Sequence, residues 1–166
     1  MILGLSLSTF VQIHTIISLI AIVAGLIVTF GMLGSKRPGG LTAIFLLLTI
    51  LTSATGFLIP PLVSDKLLPS HIIGALSLVL LLIACIALYA MKLSGSWRWI
   101  YAVTALLALY FNAFVLVIQS FLKIPALTAI APGNPPSGPV FAVVQGVVLV
   151  FFVLMIIGAV RRFWPK

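Results

Sequence analysis

Five apolar segments, at residues 8–33, 41–63, 70–91, 98–121 and 139–160, leave this chain little choice of environment. Each supplies the roughly 20 residues that a helix needs to cross a hydrocarbon core. Inside such a core every backbone N–H and C=O must be bonded within the protein, and an α-helix does this within one segment. The remaining composition agrees: 63% of the residues are hydrophobic and 6% are charged, against about 25% charged in a soluble domain. The fold class expected is therefore all-α, a single transmembrane domain spanning residues 1–166 and built as a five-helix bundle. The breaks carry the residues that end helices: 34–40 (Gly-Ser-Lys-Arg-Pro-Gly-Gly), Pro60-Pro61, Pro69, Ser94-Gly95-Ser96 and the Pro-rich run from Pro125 to Pro139. The first segment lacks a basic leading region and a small-residue cleavage site, so it is expected to remain a span.

The few charges orient the bundle. With five spans, Lys36, Arg37, Lys92, Arg98, Arg161, Arg162 and Lys166 share one side, and only Lys66 and Lys123 take the other. Basic loops stay in the cytoplasm, which predicts the N-terminus outside and the C-terminus cytoplasmic. Trp97, Trp99 and Trp164 fall at the same cytoplasmic ends, the level of an aromatic belt. The net charge of +8 is thus a topology signal, and its scatter over the ends of apolar runs argues against a nucleic-acid partner.

Acidic residues exclude more than basic ones imply. Asp65 is the sole carboxylate side chain. A pair of catalytic carboxylates, an oxygen cage for calcium or magnesium, and an intramembrane carboxylate relay are all excluded. Cys85 stands alone, so no intramolecular disulfide or cysteine metal cluster forms, and it reads as a small core residue. No catalytic residue and no metal site is assigned, and independent enzyme activity is not expected.

The polar residues inside the spans are arranged by face. His14, Ser18, Ala21, Gly25 and Thr29 share one side of the first helix, since steps of three and four keep residues aligned. Thr42, Thr49, Ser53, Gly56 and Pro60 align on the second, His71, Gly74, Ala75 and Cys85 on the third, and Tyr101, Ala105, Ala108, Asn112 and Gln119 on the fourth. Small and hydroxyl residues in such stripes let helices pack. The larger polar groups, His14, His71, Asn112, Gln119 and Gln145, all fall in the outer half, with Gln12 at its edge, and the inner half is left with hydroxyls. Polar groups are costly in lipid unless they face inward. A polar pocket opening outward follows, beneath residues 121–139, which read either as a short interfacial helix with an irregular turn or as an extended connector.

Two imidazoles at similar depth on different helices are the donor set for one b-type haem, which makes His14 and His71 the cofactor-binding candidates and a small membrane redox subunit the leading function. The same pocket, with Asn112, Gln119, Gln145 and Ser18, suits a quinone-like ligand instead. The alternative is a non-catalytic accessory or assembly subunit whose histidines only bond their neighbours. Besides the lipid bilayer, the expected partners are a second copy or a larger membrane complex.

The stretches FVQIHTIISLIAIVAGLIV, LLPSHIIGALSLVLL and SGSWRWIYAVTALLALYFNAFVLVIQSFLKIPALTAIAP resemble a group of small multi-span bacterial inner-membrane proteins. The most specific part is the fourth span running into QSFLKIPAL. The resemblance implies a bacterial inner-membrane location and brings no activity, ligand or site residue with it.

Overall fold

The computed structural model describes residues 2–59 and 69–165. Asp65, Lys66, the Pro60-Pro61 pair and Lys166, on which part of the sequence reading rests, lie outside the described residues. The described chain folds into α1 (Leu7–Leu33), α2 (Gly39–Gly56), α3 (Pro69–Cys85), α4 (Trp97–Lys123), the short α5 (Pro125–Ile130) and α6 (Pro139–Arg162). A π-helical turn, Ile86–Ala90, carries α3 onward. Five of these helical stretches are long and apolar enough to cross a membrane, taking α3 with its π turn as Ser70–Ala90.

Local chemistry sets most of the helix ends. Ser6 caps α1 by accepting the Thr9 N–H at 3.1 Å. At the far end Ser35 takes a left-handed conformation (φ 56°), Lys36 N–H reaches Gly31 O at 2.8 Å and Ser35 N–H reaches Met32 O at 2.9 Å. That pair of bonds closes the last turn and satisfies carbonyls the helix leaves open. Proline occupies the first turn of α5 and of α6, where its missing N–H costs nothing.

One boundary departs from the sequence expectation. The second span was expected to run to residue 63, and α2 ends at Gly56. Beyond it the chain tightens, with Phe57, Leu58 and Ile59 each donating to the carbonyl three residues back. This is how a helix end uses up its carbonyls before residues that cannot donate, here Pro60 and Pro61. The 18 residues of α2 span only about 27 Å as helix, slightly less than a typical hydrocarbon core. Residues 121–139 do contain a short helix, α5, and the Thr128 hydroxyl ties it to α4 by donating to Phe121 O at 2.8 Å.

Successive long helices run antiparallel, and α4 touches every other helix. Its inward face carries Ala102, Ala105 and Ala108, all without exposure. Small side chains there bring neighbouring backbones close, which is the main source of attraction between helices in lipid. α1 lies in the groove between α2 and α4, and Gly25 marks the tightest point. A Cβ at Gly25 would sit 2.6 Å from Leu109 Cδ1 and 2.9 Å from the Phe45 ring. α6 packs on α4 and α1 and presents Val143, Val147, Val150 and Leu154 outward. In α3 the buried line is Ser77, Leu81 and Ala84, while Ala75, expected on the packed face, is exposed.

Gly25→Ile is expected to lower the thermal stability of the detergent-solubilised protein by about 1–3 kcal/mol through overpacking. Gly146, where a Cβ meets nothing within 4 Å, is the control: Gly146→Ala should be neutral or raise stability by up to about 1 kcal/mol.

Candidate functional site

The antiparallel arrangement gives the bundle two unlike ends. At one meet His14, His71, Asn112, Gln119 and Gln145; at the other meet Arg37, Lys92, Arg98 and Trp164. They are called here the histidine end and the basic end.

His14, half-buried on α1, faces the last turn of α2. Its Nδ1 lies 2.8 Å from Thr55 Oγ1. The Thr55 hydroxyl has one proton, and it donates to Leu51 O at 2.6 Å. Thr55 Oγ1 is therefore the acceptor, Nδ1 carries the hydrogen, and Nε2 of the neutral ring keeps its lone pair. Gly56 lies beside the imidazole, where a Cβ would be in ordinary contact with His14 Cε1 at 3.7 Å. Thr55 is a functional neighbour the sequence reading missed. It sits off the stripe traced through Thr49, Ser53 and Gly56, and nothing but its position one residue before Gly56 hints at it.

His71, near the start of α3, packs its ring 5.7 Å from that of Phe57 at an interplanar angle of 32°. α3 approaches α2 closely here, since a Cβ on Gly74 would stand 3.3 Å from the Phe57 ring and 3.5 Å from Ser53 O. The two histidines thus address the C-terminal end of α2 on either side of Gly56 in sequence, His14 at Thr55 and His71 at Phe57, the residue after the helix. Axial ligation of one iron requires both rings to face a common gap. Among the described residues His14 is placed against Thr55 and His71 against Phe57. Among the described residues no three His, Cys, Asp or Glu side chains converge on a point that would hold a metal ion.

The amides form the other part of the site. Ser18, one turn from His14 on the same face of α1, donates its hydroxyl to Asn112 Oδ1 at 2.8 Å. Asn112 is 8% exposed, and its Nδ2 has no partner. Gln145 on α6 donates Nε2–H to Phe114 O at 3.2 Å, and its Oε1 is buried without a donor. Gln119 lies two turns beyond Asn112 on α4 and is half-buried. Gln12 is exposed at the edge. Ser18, Asn112 and His14 are brought into one neighbourhood between α1, α2 and α4, whereas Gln145 addresses the far side of α4 toward α6. Asn112 is thus engaged from α1, and Gln145 bonds the backbone of α4 from α6.

The inner half was expected to hold only hydroxyls. It also holds Arg98, which reaches under α6 and donates from one terminal nitrogen to Val160 O at 3.0 Å and to Phe163 O. A cation at these last carbonyls meets the negative end of the α6 dipole. Trp164 stacks on the guanidinium, with Cζ 3.7 Å from the ring centre, and donates its backbone N–H to Ser35 Oγ at 2.8 Å. The tryptophans on either side of Arg98 in sequence point to an interface and say nothing of this inward reach.

No protein-family model, no curated protein and no solved structure matches the chain. The resemblance to small bacterial inner-membrane proteins is thus reduced to its coarser content, helices long and apolar enough for a multi-pass membrane protein.

The His14–Thr55 bond is expected to couple the two residues by about 0.5–1.7 kcal/mol, the range for hydrogen bonds between membrane helices. A double-mutant cycle of His14→Ala and Thr55→Val, read by reversible unfolding in detergent, checks this; additive losses would show that the bond contributes nothing.

Proposed function

We propose that this chain is a non-catalytic multi-pass protein of a bacterial inner membrane that binds an apolar, carbonyl-bearing ligand of the quinone class at Asn112. The observation that carries the reading is the Asn112 amide: its oxygen is engaged by Ser18 and its Nδ2–H₂ group is buried without an acceptor. A buried donor left unpaired costs about 1–3 kcal/mol, and a ligand carbonyl would remove that cost. His14, one turn along α1 from Ser18, adds an Nε2 acceptor on a ring held by Thr55. A donor amide and an acceptor imidazole in an otherwise apolar setting are the kind of few, placed polar groups that orient a small apolar molecule.

The proposed orientation follows the charges. Lys36, Arg37, Lys92, Arg98, Arg161 and Arg162 cluster toward one end, and Lys123 lies toward the other. The basic end is then cytoplasmic and the ligand site lies in the outer half of the bilayer. Catalysis is not part of the proposal: Nε2 of His14 has no nucleophile or carboxylate beside it among the groups described above.

The test is mass spectrometry of an organic extract from protein purified in mild detergent. A near-stoichiometric carbonyl compound is expected with the wild type and with Gln145→Leu, and its loss with Asn112→Leu that still elutes as folded protein. Equal extracts from wild type and Asn112→Leu would sink the reading. An absorption spectrum on the same samples separates it from haem b: a Soret band that shifts with dithionite and disappears in His14→Ala would put a redox subunit in its place.

A further inference from the structure

At the basic end a cavity of about 500 Å³ opens between the α1–α2 turn, the end of the π-helical turn, the start of α4 and the tail after α6. Three cations line it, Arg37, Lys92 and Arg98, together with Leu88, Leu93 and Trp164. No aspartate or glutamate exists among the described residues to neutralise them, and the one acidic side chain of the sequence, Asp65, lies outside the described residues. Three like charges gathered around one cavity repel one another unless an anion joins them.

Arg98 is held in place before any ligand arrives. Its terminal nitrogen is fixed on the α6 carbonyls, Trp164 covers its face, and Nε is buried with no hydrogen-bond partner. It therefore contributes a positioned guanidinium, while Arg37 and Lys92 are exposed and can close on a ligand. Guanidinium and ammonium groups in combination select phosphate oxygens. The remaining wall is apolar, and Trp97, Trp99 and Trp164 mark this level as a membrane–water interface.

We infer that this cavity is a binding site for a phosphate group, and specifically for the phosphodiester headgroup of an anionic membrane lipid. The three cations hold the phosphate, and Leu88, Leu93 and Trp164 accommodate the start of the apolar part. A basic recess between spans at the membrane surface is a recurrent setting for such headgroups. The site is separate from Asn112, at the opposite end of the bundle, and stands whether or not the ligand reading for that end holds.

Native mass spectrometry of the full chain in detergent, titrated with phosphatidylglycerol, with phosphatidylethanolamine of the same acyl chains, and with inorganic phosphate, tests the inference. Phosphatidylglycerol is expected to bind at least about tenfold more tightly than phosphatidylethanolamine. Arg37→Gln with Lys92→Gln, both on exposed side chains, should reduce that binding by about tenfold or more, in line with the contribution of each surface cation. Arg161→Gln with Arg162→Gln should leave it within about threefold if the cavity rather than general charge is responsible. Binding of inorganic phosphate that is lost in the Arg37→Gln and Lys92→Gln protein, without a preference for phosphatidylglycerol, would keep the phosphate site and overturn its assignment to lipid. Equal retention of both lipids with no phosphate binding, or no change in the Arg37→Gln and Lys92→Gln protein, would overturn the inference.

Discussion

The contact of α1 with α2 and α4 at Gly25 is the point on which the bundle's geometry depends. Lipid tails are as apolar as leucine, so burial of apolar surface gives helices little reason to associate in a membrane. What remains is close packing and the polar bonds it permits. At Gly25 the absent side chain lets Leu109 and Phe45 press against the α1 backbone. That approach brings Ser18 within reach of Asn112 and His14 within reach of Thr55, about two and three turns back along α1. A helix held off by one extra side chain would lose both bonds together.

The same packing divides the polar groups between the two ends. At the histidine end the amides are engaged by neighbouring helices, with single atoms of Asn112 and Gln145 left over. At the basic end the groups are charged and no carboxylate side chain among the described residues answers them. A neutral polar atom left over within a span costs less than an unpaired charge would. Cations therefore sit where a helix end, an aromatic face or water meets them. Arg98 does this with the carbonyls of α6 and the ring of Trp164. In doing so it joins α4 to α6, and the Trp164–Ser35 bond extends the connection to α1.

Much of the architecture was legible in advance. Segment length, the proline and glycine breaks and the face of α4 through Tyr101, Ala105, Ala108 and Asn112 are all found in place. The site was legible only in outline. Helical periodicity assigned His14 and Ser18 to an inward face, and they are there. It did not show that His14 would turn to Thr55 and His71 to Phe57, since partners depend on which helices adjoin. On α3 Gly74 lies on the packed side as expected, but Ala75 is exposed and Ser77 is buried in its place. The hydrophobicity of α3 is nearly uniform around its circumference, so the sequence carries little sign of which face is covered.

Length and hydrophobicity alone determined that this chain forms five apolar helices suited to a membrane, because a backbone in lipid must satisfy its own hydrogen bonds and helices do so segment by segment. The clustering of cations at alternate breaks was equally written in the sequence, because chain direction reverses at each turn. Only the tertiary structure decided which polar groups meet. It turned His14 to Thr55 and His71 to Phe57, engaged Asn112 with Ser18, and folded Arg98 under α6. Those outcomes rest on the order in which helices pack and on close approaches of a few ångströms at single residues such as Gly25, Gly56 and Gly74, where the shape of the neighbour, and not the local sequence, fixes what a side chain can reach.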